Sequence, residues 1–139
     1  MTIDFTTEFG QRVLQRLQAE QCIWLTTVSP DGTPQPNPVW FLWEDETILI
    51  FTQPGSVKVR NIRQNPHVAL NFNSTFDGGD VAVIAGVVEI DDDAPRARDN
   101  APYLEKYASG IVDIQMNPES MSAEYSLALR IQPQKLRGF

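Results

Sequence analysis

The chain has 139 residues, 42% of them hydrophobic, with 18 acidic against 11 basic side chains and a formal charge of −7. That length fits one domain, residues 1–139, able to bury a core without staples, and the acidic balance excludes a general nucleic-acid or anionic-membrane surface, which relies on a broad basic footprint. The single cysteine excludes an internal disulfide, no apolar run approaches a membrane span, and the start MTIDFTTEFG lacks a basic region followed by an apolar core, so the expectation is a soluble cytoplasmic protein.

Residues 7–21 read as a helix, with Phe9, Val13 and Leu17 at four-residue spacing and Leu14 widening the stripe. Residues 22–28 follow as a strand, in which Cys22 reads as a small buried apolar residue, since no Asp–His arrangement is present to activate it. Ser29-Pro30-Asp31-Gly32-Thr33 supplies turn chemistry. In the next strand Asn37 and Pro38 restrict ladder pairing, because proline has no N–H to donate, and this leaves backbone groups free to face a ligand. Two β-rich runs, Asn37–Trp43 and Thr47–Thr52, joined by the acidic turn Glu44-Asp45-Glu46, have the pattern of a hairpin.

After Gln53-Pro54-Gly55, Ser56 stands where a helix N-cap would stand. Val57, Val59 and Ile62 alternate with Lys58, Arg60 and Arg63 until Asn65-Pro66 stops the helix, and His67–Phe72 leaves as a strand. Residues 73–79 form a loop, and Asp80–Ile90 is a long apolar strand whose Gly86 marks a bulge or a close approach. Asp91-Asp92-Asp93 is expected at the start of a helix running through Arg96, Tyr103, Leu104 and Tyr107, where it would compensate the helix dipole. Adjacent aspartates without glycine-punctuated loop spacing make a poor metal site, so no metal is expected. Asn117-Pro118-Glu119 reads as the cap and first turn of a short helix, and the strand Tyr125–Ile131 is expected to end at Pro133. Six main strands that mostly follow one another through turns imply a mainly β protein with flanking helices, an antiparallel sheet closed into a small barrel.

Charge singles out one stretch. From Thr47 to Phe76 the acidic chain has no Asp or Glu. The first turn of a helix offers unpaired N–H groups and a positive dipole end, and Ser56 and Lys58 add a hydroxyl and an ammonium, an arrangement that suits a phosphate. Taken alone, Lys58, Arg60 and Arg63 equally fit a solvated helix face.

The order of motifs along this stretch resembles the FMN-binding split-barrel family related to pyridoxamine 5′-phosphate oxidase. The elements are Pro38-Val39-Trp40-Phe41, the acidic turn 44–46, Phe51-Thr52, the Ser-x-Lys-x-x-Asn helix from Ser56 to Asn61, and Asn65-Pro66. Within the family the chain looks most like the short branch of coenzyme F420-dependent enzymes. Two departures stand out: Val57 replaces the second basic phosphate ligand, and Leu136-Arg137-Gly138-Phe139 replaces the closing Arg-x-His segment, so pyridoxamine phosphate oxidation is not expected.

The resemblance implies a six-stranded antiparallel split barrel and a homodimer with the cofactor, F420 or FMN, in a groove between subunits. It implies a phosphate at Ser56, Lys58, Arg60 and the helix N-terminus, a ring along Asn37, Pro38, Val39, Trp40 and Phe41 with Thr52 and Gln53 nearby, and Phe51 and Asn61 as further cofactor-binding residues. The cofactor supplies the redox chemistry, which accounts for a sequence with no triad, no zinc spacing and one histidine. His67 has three readings: a strand-end residue, a contact to phosphate or tail, or a proton donor or haem ligand. Arg63 either meets a second anionic group or faces solvent. Trp24 and Trp43 read as core or dimer contacts. Against a hydride-transferring oxidoreductase acting on a small organic acceptor stand a non-catalytic flavin- or tetrapyrrole-binding stress protein and a ligand-free interaction barrel.

Overall fold

The structure, a computed structural model, describes residues 3–139. Helix α1 (Glu8–Ala19) is capped by Thr7, whose side chain accepts the Gly10 N–H, and it turns Val13 and Leu17 into the core. Strand β1 (Ile23–Val28) and strand β2 (Pro34–Val39) form the first hairpin. Next come β3 (Leu42–Glu44), β4 (Thr47–Thr52), α2 (Val57–Gln64), β5 (His67–Asn71) and β6 (Ala82–Ile90). A 3-10 turn (Ala97–Asp99), α3 (Ala101–Asp113) and α4 (Pro118–Glu124) then lead into β7 (Leu127–Gly138).

All seven strands belong to one antiparallel sheet in the order β2-β1-β5-β6-β7-β4-β3. Laid flat, six inter-strand spacings of about 4.8 Å would hold the two edges roughly 29 Å apart. Yet only Trp40 and Phe41 separate β2 from β3, and the three Cα–Cα steps from Val39 to Leu42 span at most about 11 Å. The sheet therefore curls until its edges meet, which is the split barrel expected from the sequence.

The strand count differs by one, because the expected strand Asn37–Trp43 breaks at Trp40–Phe41. The backbone there pairs with α3 instead of with a strand. Phe41 N–H donates to Tyr107 Oη (2.8 Å), and Phe41 C=O accepts from Tyr107 Oη (2.9 Å) and Lys106 Nζ (2.7 Å). The turn after β3 places Asp45 and Glu46 at φ 55° and 59°, the primed geometry that closes a two-residue hairpin.

Strand β4 is buried along its whole length. Ile48 and Ile50 face the barrel interior with Leu25, Leu70, Ile84, Leu129 and Ile131, while Leu49 and Phe51 face a second layer made with Tyr103, Tyr107, Ile111 and Met121. An apolar run with no polar alternation is what a strand between two cores requires, and each such side chain contributes about 1.5–3 kcal/mol on burial.

Two boundaries depart from the sequence reading. Asp91–Asp93 do not begin a helix; α3 starts at its Asn100 cap, whose side chain accepts the Tyr103 N–H. Asp91 instead bonds Arg130 Nε (2.9 Å), and Arg130 also reaches Glu44 Oε1 (3.1 Å). The opposite charge of Arg130, brought from β7 and shared with Glu44 of β3, outweighs a helix end several residues away. Likewise β7 does not stop at Pro133 but continues to Gly138, because Pro133 lies opposite Gly86 where the register slips by one residue. A proline is tolerated in a strand at such a bulge. A Cβ on Gly86 would lie 2.8 Å from Gln132 O, so the close approach needs glycine.

Candidate functional site

The end of β2, the end of β4 and the start of α2 converge near the seam of the barrel, and α3 and α4 close over them. Between them lies a cavity of about 410 Å³. Seven residues singled out in the sequence line it: Pro38, Val39, Trp40, Phe51, Thr52, Gln53 and Lys58. A larger cavity, about 600 Å³, lies against the outer face of β5, β6 and β7 and is lined by Ala69, Val83, Ala85 and Leu136 with residues of the N-terminal segment. None of the expected cofactor residues reaches it, so the smaller cavity is the candidate site.

Proline at position 38 sits on an edge strand, paired only with Trp24 of β1, so its missing N–H costs the sheet nothing. Trp40 stacks on Tyr107 with ring centroids 4.5 Å apart and planes 8° apart. Gly110 makes room for it, since a Cβ there would lie 3.1 Å from the indole Cη2 and Cζ2. Lys106, over the Phe41 ring at 3.8 Å, is pushed down to about 8 by burial. The wall carrying Trp40 is thus fixed from behind by one helix.

At the start of α2, Ser56 is the N-cap residue by backbone conformation, yet its side chain makes no capping hydrogen bond. Its Oγ is buried with no partner among the described residues, and Ser56 itself does not line the cavity that Lys58 lines. Lys58, half-buried on the cavity, has no carboxylate within 4.0 Å among the described residues, and burial lowers its ammonium pKa. An orphaned hydroxyl and an unpaired, partly desolvated cation at one helix N-terminus are groups that an anionic ligand would satisfy. Gln53 Nε2 donates to Glu124 Oε1 (2.7 Å), joining the β4–α2 loop to α4 beside the cavity.

Other expected residues lie elsewhere. Phe41 is fully buried in the core. Asn37 and Arg60 are exposed and do not line the cavity. Asn61 is buried and donates to Thr27 Oγ1 (3.0 Å) and Gln35 Oε1 (2.6 Å), tying α2 to the first hairpin. Arg63 and His67 are exposed. Trp24 donates to Asn73 Oδ1 (2.9 Å), and Trp43 packs edge-on against Phe5. Burial raises the Cys22 thiol pKa, which disfavours a nucleophilic thiolate.

The cavity also takes Ile50, Tyr103, Ile114, Met121 and Tyr125. Four of these come from the helical segment between β6 and β7. The four-residue spacing of Tyr103 and Tyr107 marks a buried helix face, but spacing alone does not say that one aromatic would reach a cavity.

These features define an antiparallel split barrel with a cavity at its seam. The family model described as pyridoxamine 5′-phosphate oxidase matches residues 9–139, and the chain belongs to that family. Among solved structures, an F420 reductase is 26% identical, with a TM-score of 0.66 over 88% of this chain and 94% of the other. HutZ, the haem storage protein of Vibrio cholerae, is 16% identical (TM-score 0.64, 95% of each chain). An FAD-binding protein of Mesorhizobium loti is 18% identical (TM-score 0.58, 91% of this chain and 88% of the other). No match was found among curated proteins.

Proposed function

We propose that this protein is an oxidoreductase that moves a hydride between a flavin-type cofactor, F420 or FMN, and a small organic acceptor. The observation that carries the reading is Lys58, a cation unpaired among the described residues, on a cavity walled by Trp40, two residues from the orphaned buried hydroxyl of Ser56 at the same helix start. The donor set fits the phosphate of such a cofactor. Pro38, Val39, Trp40, Thr52 and Gln53 would take its ring. The tricyclic cofactor, when bound, supplies the hydride-accepting centre. The protein's own work is then to hold the anionic arm, to set the plane of the ring through Trp40, and to keep water from the apolar wall of Ile50, Phe51 and Met121.

The likeness to an F420 reductase supports the deazaflavin over FMN, as does Val57, which offers no second cation to a compact phosphate. A haem storage protein shares the fold, so the fold alone does not make this chain an enzyme. The reading includes a homodimer in the cytoplasm. The exposed small residues Ala69 and Ala85 on the outer sheet face are surface that pairing would cover. No described helix is long and apolar enough to cross a membrane.

Titration of the intrinsic fluorescence of the three tryptophans with F420 and with FMN tests the reading. Lys58→Ala should weaken binding by about tenfold or more, the loss expected for one charge-assisted contact. Equal affinity in wild type and variant overturns it.

A further inference from the structure

The large apolar side chains left exposed among the described residues fall into two groups. Val57 precedes Lys58 at the start of α2, Ile114 lines the seam cavity, and Val112 lies two residues before it on α3, so all three belong to the elements that frame that cavity. Neither Phe76 nor Phe139 lines it. Phe76 is fully exposed at the tip of the turn between β5 and β6. Phe139 stands at the foot of that turn, its N–H donating to Val81 C=O and its C=O accepting from Val81 N–H, each at 3.0 Å. The tip is held firmly. Thr75 Oγ1 donates to Asp77 Oδ1 (2.6 Å) and accepts the Gly79 N–H (2.7 Å), and the Gly78 N–H donates to Thr75 C=O (2.9 Å). Arg16 secures both ends by donating to the carbonyls of Asn73 (2.7 Å) and Asp80 (2.9 Å), and Trp24 Nε1 donates to Asn73 Oδ1 (2.9 Å).

An exposed aromatic on a fixed turn has little ordering entropy left to lose when a partner covers it, which is what an interface anchor requires. Charge indicates the partner. Beside Phe76, the Asp77 carboxylate has no cation within 4.0 Å among the described residues, and Lys58 and Arg60 at the cavity's helix have no carboxylate within that distance. Hydrogen bonding from Thr75 holds the Asp77 carboxyl below its ordinary range, so it stays ionised. One copy therefore presents an apolar plug beside an unpaired acid and an apolar socket beside unpaired cations. We propose that the partner covering Phe76 is a second copy of this chain, the turn 73–80 of each subunit lying across the mouth of the other's seam cavity, with Phe76 against Val57 and Ile114 and Asp77 toward Arg60. Each copy gives and receives the same contact, so the pair closes on a two-fold axis and leaves no free plug or socket to extend it. The surface is continuous with the turn, which joins β5 to β6, the strands whose outer face exposes Ala69 and Ala85. The inference rests on the reading of the seam as a cofactor groove in a homodimer and names the segment that the second subunit brings to it.

The test replaces Phe76 by p-benzoylphenylalanine, an aromatic that keeps the plug and on irradiation bonds to the C–H group it touches, in an equal mixture of isotope-labelled and unlabelled full chains. Mass spectrometry should find crosslinks of mixed isotope from position 76 to residues 53–60 or 108–116. Crosslinks confined to one chain, crosslinks between chains at any other segment, or none at all overturn the assignment. Sedimentation reads the same contact without the probe. Wild type should be a dimer at micromolar concentration, and Phe76→Ser should raise its dissociation constant about thirtyfold or more. Because Phe76 is fully exposed within its own chain, the circular dichroism of that variant should match wild type. Asp77→Lys should weaken association about tenfold or more. A monomeric wild type, or either variant pairing as wild type does, overturns the proposal. If the crosslinks reach the socket while neither F420 nor FMN stays with the protein through gel filtration, the cofactor reading fails and this one stands. If cofactor binding depends on Lys58 while the crosslinks miss the socket, this one alone fails.

Discussion

Replacing Ser56 by alanine should move stability and binding in opposite directions. An N-cap serine normally contributes about 1 kcal/mol through its bond to the first turn, but here that bond is absent. What remains is a buried hydroxyl with no partner, whose desolvation costs about 1–3 kcal/mol. Removing it should therefore leave the ligand-free protein unchanged or more stable by up to about 2 kcal/mol. With an unfolding entropy of about 2.1 cal/mol/K per residue over this chain, each kcal/mol shifts Tm by roughly 3 °C, giving a rise of 0 to about 6 °C. Binding should suffer instead, because a hydroxyl bond to a charged phosphate contributes about 1.5–3 kcal/mol, or roughly a 10- to 150-fold loss in affinity. Differential scanning calorimetry of wild type and Ser56→Ala, with and without F420, reads both. A ligand-free variant that melts several degrees lower would show that Ser56 serves the fold, and the anion-site argument would lose its main support.

Lys106 makes a pH prediction. Burial lowers it to about 8 from 10.5, so the unfolded chain binds this proton more tightly and stability should rise as pH climbs from about 8 to 10. Above about 10 the gain is opposed by Tyr103 and Tyr107, which burial raises above the ordinary value of 10.0. Urea midpoints across this range should flatten in Lys106→Met. Asp91 works from the acid side: its hydrogen bond to Arg130 holds its carboxyl below the ordinary 3.8, so its contribution is full above that value and is lost as pH falls further. Asp91→Asn should reduce the acid sensitivity seen in urea titrations below about pH 4, and Arg130→Met, which strands Glu44 and Asp91, should cost about 2 kcal/mol at neutral pH. Gly110→Ala adds helix propensity of about 1 kcal/mol but sets a Cβ 3.1 Å from the Trp40 indole. Stability should change little while Trp40 emission shifts and cofactor affinity drops; an unshifted spectrum would refute the view that α3 sets the angle of that wall.

Much of this molecule is legible in the chain. The hairpin turn at residues 44–46, the cap at Asn117 and the bulge at Gly86 are each written in one or two residues whose backbone preferences leave few options. The motif order from Pro38 to Pro66 carries the barrel. What the sequence hides depends on distant partners. Whether Trp40–Phe41 continues a strand depends on Tyr107, 66 residues away in the Phe41 pairing, and no local pattern records that contact. Asp91–Asp93 look like a helix start until Arg130 arrives from the last strand. Pro133 reads as a stop because a proline cannot show, by itself, that it faces a bulge. In the candidate site, β2, β4 and α2 were visible as a contiguous motif, whereas the wall of Tyr103, Ile114, Met121 and Tyr125 comes from a helical segment whose aromatic spacing equally fits plain packing. Asn61 was visible as part of the motif, but its buried bonds to Thr27 and Gln35 link segments that only the folded chain brings together.

The central claim is that the start of α2 grips the anionic arm of a planar redox cofactor. Its most direct measurement is the absorption spectrum of the protein after incubation with F420 or with FMN and removal of the excess by gel filtration. The account predicts a retained cofactor band in wild type and a reduced one in the Ser56→Ala, Lys58→Ala double variant. Protein that emerges colourless from both incubations, or a double variant that retains as much as wild type, contradicts it.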